Sequence, residues 1–249
     1  MARNEDFDLP DLSGRRVAVP GGTGGVGEGV VRGYLAAGAD VVVPTRSQER
    51  ADEFRRLLGD AAGDRLHLVV HDYTTFAGAE QFAQEMTTRL GGVDAVVAPI
   101  GGWWAGKRLW EMDEADWNDA FVELATTHVA VMRAFVPRLA DGGSYALVVG
   151  ESASFPVPAS GLVSMEQAAL LMMSQVLHAE LEGDRRAFAL VLGPVRTRLA
   201  AGEADWIGAD QVGAVATALT AAPEFTGRTV HLHDASDAEK ALELIRTGG

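Results

Sequence analysis

The stretch PGGTGGVGEG, Pro20–Gly29, holds six glycines in ten residues. It follows the apolar run Val17–Val19 and precedes the helix-like stretch Val30–Ala37. Glycines between a strand and a helix let the main chain contact a diphosphate, and the helix N-terminus supplies free N–H groups and a favourable dipole. The stretch therefore predicts a nucleotide-binding turn, the alternative being a turn that is merely flexible.

Two glycine spacings overlap within this stretch. Gly22, Gly24 and Gly27 match the pattern G-x-G-x-x-G. Gly21 and Gly25, again with Gly27, match the pattern G-x-x-x-G-x-G. Either pattern is weak by itself, and the strand before it and the helix after it are the context that favours a dinucleotide site.

Short apolar runs alternate with amphipathic stretches almost to the end of the chain. Runs that are nearly continuous in apolar residues are typical of parallel strands covered on both faces. This alternation predicts an α/β fold with a single doubly wound parallel sheet, three layers thick, in one domain spanning residues 1–249. The predicted strands are Arg16–Val19, Asp40–Val43, Leu66–Val70, Ala95–Ala98, Tyr145–Val149, Ala187–Leu192 and Thr229–Leu232. The predicted helices include Gln48–Leu58, Ala79–Leu90, Trp117–Leu139 and Leu162–Leu181.

The composition limits the classes of function. Lys and Arg number 21 and Asp and Glu 35, and the resulting net charge of −14 argues against nucleic acid or an anionic membrane as a partner. The chain has no cysteine, which excludes disulfides, thiolate metal sites and a cysteine nucleophile. There is no apolar run of about 18 residues, and the acidic extension 1–12 lacks an apolar signal core, so a cytoplasmic protein is expected.

The segment after the second predicted strand bears on the choice of cofactor. An acidic side chain there would accept hydrogen bonds from the adenosine ribose and favour NAD(H). Val43–Ser47 has no acidic residue and contains Arg46, whose guanidinium suits a 2′-phosphate. The sequence therefore favours NADP(H) over NAD(H). The alternatives are a solvated Arg46 that opens the next helix, or a chain that binds no dinucleotide.

From about Leu12 to Leu232 the chain resembles the short-chain dehydrogenase/reductase family. LSGRRVAVPGGTGGVG resembles the first strand and the T-G-x-x-x-G-x-G loop of that family, with Pro20 in place of Thr. HDYT, His71–Thr74, resembles the Asp segment that brackets the adenine. VVAPIGG keeps only Gly101 of the family's N-N-A-G motif. The order and spacing of these segments imply the doubly wound fold.

Later segments extend the resemblance. LGPVRT, Leu192–Thr197, resembles the P-G-x-x-x-T segment whose Thr contacts the nicotinamide carboxamide, and FTGRTVHL resembles the closing turn and last strand. The resemblance also implies a substrate loop at residues 198–210 and a C-terminal helix at residues 235–249. It implies cofactor contacts at Gly21, Thr23, Gly25, Val26, Gly27, Arg46, Asp72, Tyr73, Gly101, Gln167, Val195 and Thr197.

The catalytic residues of the resembled family are missing. That family uses a Tyr-x-x-x-Lys pair on a helix, a Ser at the preceding strand end and an Asn one helix earlier. The residues four after the three tyrosines are Gly38, Ala77 and Val149, so no such pair exists in this chain. Matching GLVSMEQAALLMM to the catalytic helix assigns Val163 to the Tyr position and Gln167 to the Lys position. Without a substitute acid, reduction of carbonyl groups should be nearly absent.

Two further positions complete this comparison. The strand end VVGESAS assigns Glu151, or else Gly150, to the Ser position, with Ser152 adjacent, and Leu124 falls at the Asn position. Glu151 is the candidate substitute acid, because burial would raise its pKa, the alternative being an exposed loop carboxylate. Ser152 is a candidate for holding a substrate oxygen, but no activating base accompanies it.

Two histidines are weaker candidates. His128 lies one helical turn after Leu124, and a lone helical histidine is more often packed than catalytic. His71 and Asp72 are adjacent on a strand end, where neighbouring side chains point to opposite faces, so a catalytic dyad is not expected.

Aromatic and apolar residues predict a ligand and an assembly. Trp103, Trp104 and Trp206 would roof a pocket for a small apolar or carbonyl ligand if they converge over Leu124 and Val163, the alternative being ordinary packing. The stretch Leu162–Leu181 is apolar nearly all round and should be buried on two sides. In the resembled family this helix and its neighbour form a dimer interface, so a homodimer or homotetramer is expected.

Three functions remain open at this point. The first is a nucleotide-binding protein derived from a reductase, without redox turnover of its own. The second is an oxidoreductase that uses Glu151 or an acid carried by the substrate. The third is an enzyme without redox chemistry that uses the apolar cleft for another reaction.

Overall fold

The computed structural model describes residues 7–248, so the first six residues of the predicted extension and Gly249 lie outside the described residues. The strands are β1 (Arg16–Ala18), β2 (Asp40–Thr45), β3 (Leu66–Val70), β4 (Val93–Ala98), β5 (Leu139–Gly150), β6 (Arg186–Leu192), β7 (Val195–Arg196), β8 (Ile207–Gly208) and β9 (Thr229–Leu232). The helices are α1 (Gly25–Ala36), α2 (Gln48–Leu58), α3 (Phe76–Leu90), α4 (Glu114–Trp117), α5 (Glu123–Phe135), α6 (Gly161–Glu180), α7 (Ala209–Ala221) and α8 (Ala235–Thr247).

Seven strands form one parallel sheet in the order β3-β2-β1-β4-β5-β6-β9. The strand order reverses between β1 and β4, and this switch point opens a crevice at the carboxyl edge of the sheet. The prediction of a doubly wound α/β fold is confirmed. The crevice lies at the end of β1, where the glycine-rich turn begins.

The sheet is covered on both faces because consecutive residues of its strands are apolar and point to opposite faces. Val41 and Val43 of β2 join one core cluster with residues of α1, α7 and α8. Val42, between them, joins the opposite cluster with residues of α3, α5 and α6. This two-sided burial explains why the strands appear as continuous apolar runs in the sequence.

Side-chain caps fix where several helices begin. The Ser47 hydroxyl accepts a hydrogen bond from the Arg50 N–H at the start of α2, and the Thr75 hydroxyl accepts one from the Gly78 N–H at the start of α3. Such caps satisfy backbone donors that have no partner within the helix. The helix-like stretch after the glycines begins earlier than the apolar pattern indicated, because Gly25 already belongs to α1.

The predicted helix over Trp117–Leu139 is helical in the structure as far as Arg138, but it is not one regular α-helix. The Asp113 carboxylate accepts from the Asp116 N–H and starts α4 at Glu114, and a π-helical segment, Asn118–Val122, separates α4 from α5. The sequence VPR after Phe135 ends α5, because proline lacks the N–H that the next helical bond requires. The chain then enters β5 at Leu139, earlier than the predicted strand.

Candidate functional site

The glycine-rich turn is packed too tightly to tolerate side chains at two positions. Gly21 has φ +84°, and a Cβ there would lie 2.5 Å from the Pro99 carbonyl oxygen at the end of β4. A Cβ at Gly27 would overlap the Gly21 carbonyl oxygen. These two glycines therefore let the turn fold back on itself at the switch point, with the N-terminus of α1 facing the crevice.

The last glycine of the decapeptide has a different role. A Cβ at Gly29 would overlap the Ala209 carbonyl oxygen, and a Cβ at Gly33 would lie 2.9 Å from the backbone of Gly213. Gly29 and Gly33 therefore allow close packing of α1 against α7. The spacing of four residues between them is the sequence signal for this packing, so Gly29 belongs to the contact between the helices and not to the nucleotide-binding turn.

A tight turn, Thr197–Ala200, lies against the glycine-rich turn. The Thr197 Oγ1 accepts hydrogen bonds from the N–H groups of Leu199 and Ala200, each at 3.1 Å. A Cβ at Gly25 would lie 2.8 Å from that same Oγ1. The Thr197 side chain predicted to contact the cofactor therefore lies directly beside the predicted diphosphate turn. Val195, another predicted contact, is in the short strand that leads to this turn.

Three predicted adenosine contacts come together at the ends of β2 and β3. Hydrogen bonds from the Thr74 hydroxyl and N–H lower the pKa of Asp72, and the Arg46 charge lowers it further. Burial raises the pKa of Tyr73, opposed by the Arg46 charge and by a backbone hydrogen bond from Gly21. Arg46 is exposed and lies close to both side chains. The cation, the carboxylate and the phenol thus line one end of the crevice.

A buried polar chain lies at the base of the crevice. The Gly150 N–H donates to Gln167 Oε1, and Gln167 Nε2 donates to Glu166 Oε2. Glu166 is completely buried, its Oε1 has no hydrogen-bond partner among the described residues, and burial raises its pKa to about 7. Both polar atoms of the Gln167 amide are therefore engaged within the protein. Val163, one turn earlier on α6, is buried and apolar.

Glu166 belongs to this site but is not among the residues predicted from the sequence. Its signal was a single carboxylate inside the apolar stretch GLVSMEQAALLMM. Acidic side chains are rarely buried without a partner, so a carboxylate within an apolar helical stretch is unusual. This makes Glu166 a stronger candidate than Glu151 for a carboxyl with a raised pKa.

Glu151 does not lie in an apolar cleft. Its Oε2 is 3.0 Å from Nδ1 of His233, which follows β9, and its side chain remains partly exposed. Ser152 is buried beside it, and a Cβ built on Gly150 would point toward the Ser152 Oγ and the Gln167 amide, at 3.5 and 3.6 Å. Of the two residues considered for the family's Ser position, Gly150 is therefore the one at which a side chain would point to the base of the crevice.

The two histidine candidates are occupied elsewhere. His128 is completely buried, its Nε2 donates to the Ile100 carbonyl oxygen at 3.0 Å, and burial lowers its pKa to about 4. His71 pairs with Glu85 on α3, while Asp72 accepts from Thr74. The expectations of a packed His128 and of no dyad at 71 and 72 agree with this geometry.

The three tryptophans do not form one roof. Trp103 is 70% exposed, the Trp104 indole N–H donates to Asp116, and the Trp206 ring packs over Gly202. Trp110 and Leu199, 79% and 74% exposed, lie in the crossover loops at the same edge of the sheet. The exposed Trp103, Trp110 and Leu199 thus form an apolar rim in the loops at this edge, and they do not close a pocket over Leu124 and Val163. Leu124 lies half-buried in the first turn of α5, and Gly101 lies in the loop after β4.

One face of α6 is apolar and uncovered. Met165, Met172 and Val176 are exposed and spaced by about one or two helical turns, and Met172 is 57% exposed. Met173 packs partly against the core. The prediction that this helix is buried on two sides is therefore met on one side only within a single chain.

Neither a metal centre nor a membrane span is present in the part of the chain that the structure describes. Residues 7–248 contain no group of three or more His, Asp or Glu side chains placed to hold a metal ion. None of the helices within these residues combines the length and apolar character needed to cross a bilayer.

Comparisons with known proteins agree with this architecture. The family model described as enoyl-(acyl carrier protein) reductase matches residues 21–240. The chain is 29% identical over 157 residues to the hydroxysteroid 11-beta-dehydrogenase 1-like protein of Xenopus tropicalis, covering 62% of this chain and 54% of that protein. It is 32% identical over 150 residues to a probable oxidoreductase of Streptomyces lividans, covering 57% of this chain and 46% of that protein. The alignments thus span about half the length of these relatives.

Solved structures match over nearly the whole chain. A short-chain dehydrogenase/reductase from Brucella melitensis has a TM-score of 0.79 and 21% identity, covering 90% of this chain and 97% of that one. A short chain dehydrogenase from Burkholderia cenocepacia, solved in complex with NADP, has a TM-score of 0.80 and 23% identity, covering 91% of this chain and 99% of that one. At these identities the likeness establishes the fold alone.

Proposed function

The chain belongs to the short-chain dehydrogenase/reductase family, and we propose that it binds NADP(H) without the ordinary carbonyl reduction of that family. The observation that carries the proposal is the base of the crevice. Val163, at the family's Tyr position, has no proton to give, and the Gln167 amide is bound to Gly150 and Glu166. A sensor or partner subunit that responds to the dinucleotide is the function that fits such a site.

The residues around the switch point fit a dinucleotide. The turn needs glycine at Gly21 and Gly27, and it presents the N-terminus of α1 to the crevice, as a diphosphate requires. Arg46 beside Asp72 would hold the adenosine end. When bound, NADPH would supply a hydride. The direct test is mass spectrometry of the purified protein for a retained dinucleotide, followed by calorimetric titration with NADPH and NADH.

Arg46 should decide between the two cofactors. Changing Arg46 to Ala is expected to weaken NADPH binding by about tenfold or more, because hydrogen bonds between charged groups contribute about 1.5–3 kcal/mol. NADH lacks the 2′-phosphate, so its affinity should be nearly unchanged. Calorimetry on both cofactors measures this, with exposed Arg50 on α2 changed to Ala as the matched control. An equal loss for NADPH and NADH would contradict the assignment.

Glu166 supports a second candidate function, an atypical NADP(H)-dependent oxidoreductase. Its carboxyl is buried in the helix of the missing Tyr and Lys, and its pKa of about 7 keeps a proton available near neutrality. Glu151 is less suited to this role, because it is partly exposed and pairs with His233. This candidate requires turnover that depends on Glu166, which the substitutions in the Discussion test.

The open rim supports an apolar ligand. Trp103, Trp110 and Leu199 are the most exposed large apolar side chains among residues 7–248, and all three lie in loops at the carboxyl edge of the sheet. Isolated apolar side chains on a surface need no explanation, but a group around one crevice marks a binding site. The proposed ligand is a small molecule with an apolar body.

The uncovered face of α6 supports a homodimer or homotetramer. Met165, Met172 and Val176 would be buried against a second copy of the same face, which a two-fold axis makes self-complementary. Burial of one such side chain contributes about 1.5–3 kcal/mol.

A charge on this face should prevent assembly. Changing Met172 to Glu is expected to convert the oligomer to monomers or to cause aggregation, because an unpaired carboxylate is costly to bury. Light scattering with size-exclusion chromatography measures the mass, and changing exposed Gln81 on α3 to Glu adds the same charge elsewhere as a control. A native chain that is monomeric at all concentrations tested would contradict the proposal.

A further inference from the structure

Arg198 extends from the turn Thr197–Ala200 onto the glycine-rich turn. Its Nη2 donates to the Thr23 carbonyl oxygen at 2.8 Å, and its Nε is 3.2 Å from Glu28 Oε2. Thr197 fixes the turn from which Arg198 projects, since its hydroxyl accepts two backbone hydrogen bonds within that turn. The guanidinium is thus held against the N-terminal turn of α1. Its two partners are 170 residues or more away from it in the sequence.

Glu28 has two cationic partners. Its Oε1 accepts from Arg32 Nε at 3.0 Å, while its Oε2 faces Arg198. Glu28 is buried in the first turn of α1, beside the N–H groups that face the crevice. One carboxylate and two guanidiniums give this group a net charge of +1. Without Arg198, the same place would be neutral.

We propose that Arg198 is a ligand for the diphosphate of the dinucleotide, and that Glu28 holds its guanidinium over the glycine-rich turn. This inference rests on the proposed binding of NADP(H). A diphosphate at the N-terminus of α1 carries two negative charges and would lie near Glu28, whose charge Arg32 already neutralises. Arg198 therefore supplies the net positive charge of this group, and it presents planar N–H donors suited to phosphate oxygens.

The same ion pair joins the two sides of the crevice. Arg198 belongs to the segment that carries Leu199 of the apolar rim, and Thr23 belongs to the cofactor turn. A diphosphate bound to Arg198 would therefore fix the start of the predicted substrate loop. The role of Arg198 is distinct from that of Arg46, which lies at the adenosine end and would contact only the 2′-phosphate.

The test is calorimetric titration of the full chain with NADPH and with NADH. Changing Arg198 to Ala is expected to weaken both cofactors by about tenfold or more, and changing it to Lys should recover part of the loss. Changing Arg196 to Ala is the matched control. Arg196 lies two residues before Arg198, but its Nε donates to the Trp206 carbonyl oxygen and not to the glycine-rich turn. The dependence of affinity on salt should also be smaller in the Arg198→Ala variant than in the native chain.

The effect of Arg198→Ala in a Glu28→Gln background distinguishes two roles of Arg198, direct binding of the diphosphate and neutralisation of Glu28. If Arg198 contacts the diphosphate, removing it weakens both cofactors in this background as well. If Arg198 acts only by neutralising Glu28, its removal has no effect once Glu28 is Gln, and the inference is wrong. A native chain that binds NADPH while the Arg198→Ala variant binds it equally well overturns the inference alone. A native chain that binds neither cofactor overturns the proposed function together with it.

Discussion

The native chain is expected to consume NADPH with simple ketones or aldehydes at least about 100-fold more slowly than a variant with the family's catalytic side chains restored. The restored variant carries Leu124→Asn, Gly150→Ser, Val163→Tyr and Gln167→Lys. The tyrosine would give a proton to the carbonyl oxygen as hydride arrives, and the lysine would lower its pKa. The native Val163 and Gln167 can do neither.

The position of the restored serine follows from the geometry. Gly150 has an extended backbone, φ −81° and ψ 152°, that suits serine, and a Cβ there meets only ordinary contacts, at 3.5 Å or more. Glu151 instead pairs with His233. A second version of the variant with Glu151→Ser in place of Gly150→Ser should therefore recover less activity.

The matched control replaces Val163 by Phe in the same background, so that only the phenolic hydroxyl is missing. The difference in NADPH oxidation between the Tyr and Phe versions should be about 10²–10⁴-fold, the usual contribution of general acid–base catalysis. Rapid turnover by the native chain would contradict the expectation. If that turnover were lost on changing Glu166 to Gln, the atypical oxidoreductase would become the preferred function.

The fold could be predicted because its signals are local. The valine-rich runs of β2 and β4 have both faces covered, so the sequence alone indicates parallel strands. The glycine-rich turn is likewise recognisable from its neighbours in the sequence. The π-helical segment Asn118–Val122 could not be predicted in this way, since the amphipathic pattern continues through it.

Much of the candidate site depends on partners that are distant in the sequence. Arg198 follows a recognised motif, but its two partners, Thr23 and Glu28, lie near the other end of the chain. No local pattern indicates such contacts. Glu151 and Glu166 differ for a related reason. The tertiary structure buries Glu166 on α6, whereas it brings Glu151, after β5, to His233, after β9.

Glu166 should also determine how the stability of the protein depends on pH. Burial raises the pKa of its carboxyl from 4.5 to about 7 in the folded chain. Between these values the unfolded chain binds fewer protons than the folded chain, so the free energy of unfolding falls as pH rises, by about 1.4 kcal/mol per pH unit. The loss totals about 3 kcal/mol and is complete above pH 7.

His128 has the opposite effect. Burial lowers the pKa of its imidazole from 6.5 to about 4. Between these values the unfolded chain binds the additional proton, so the stability contributed by neutral His128 is present above pH 6.5 and is lost as pH falls toward 4. The slopes due to Glu166 and His128 therefore oppose each other over most of this range and nearly cancel in the native chain.

Single substitutions should reveal the two slopes separately. Changing Glu166 to Gln keeps an acceptor for Gln167 Nε2 and removes the ionisation, so the variant should be more stable than the native chain at pH 8, by about 3 kcal/mol, and nearly equal to it at pH 4.5. Its stability should rise with pH between 4.5 and 6.5. Changing His128 to Phe should give the reverse slope, offset by about 1 kcal/mol for the lost hydrogen bond to Ile100.

Urea unfolding of each variant at pH 4.5, 6 and 8 measures these free energies directly. Changing exposed Glu180, at the end of the same helix, to Gln is the matched control and should follow the native curve throughout. The shared contributions of other carboxylates, such as Asp94 beside Arg16, cancel in the comparison because every variant retains them. Parallel curves for the native chain and the Glu166→Gln variant would mean that Glu166 is ionised in the folded protein. The carboxyl would then hold no proton at neutral pH, and Glu166 could not act as the general acid.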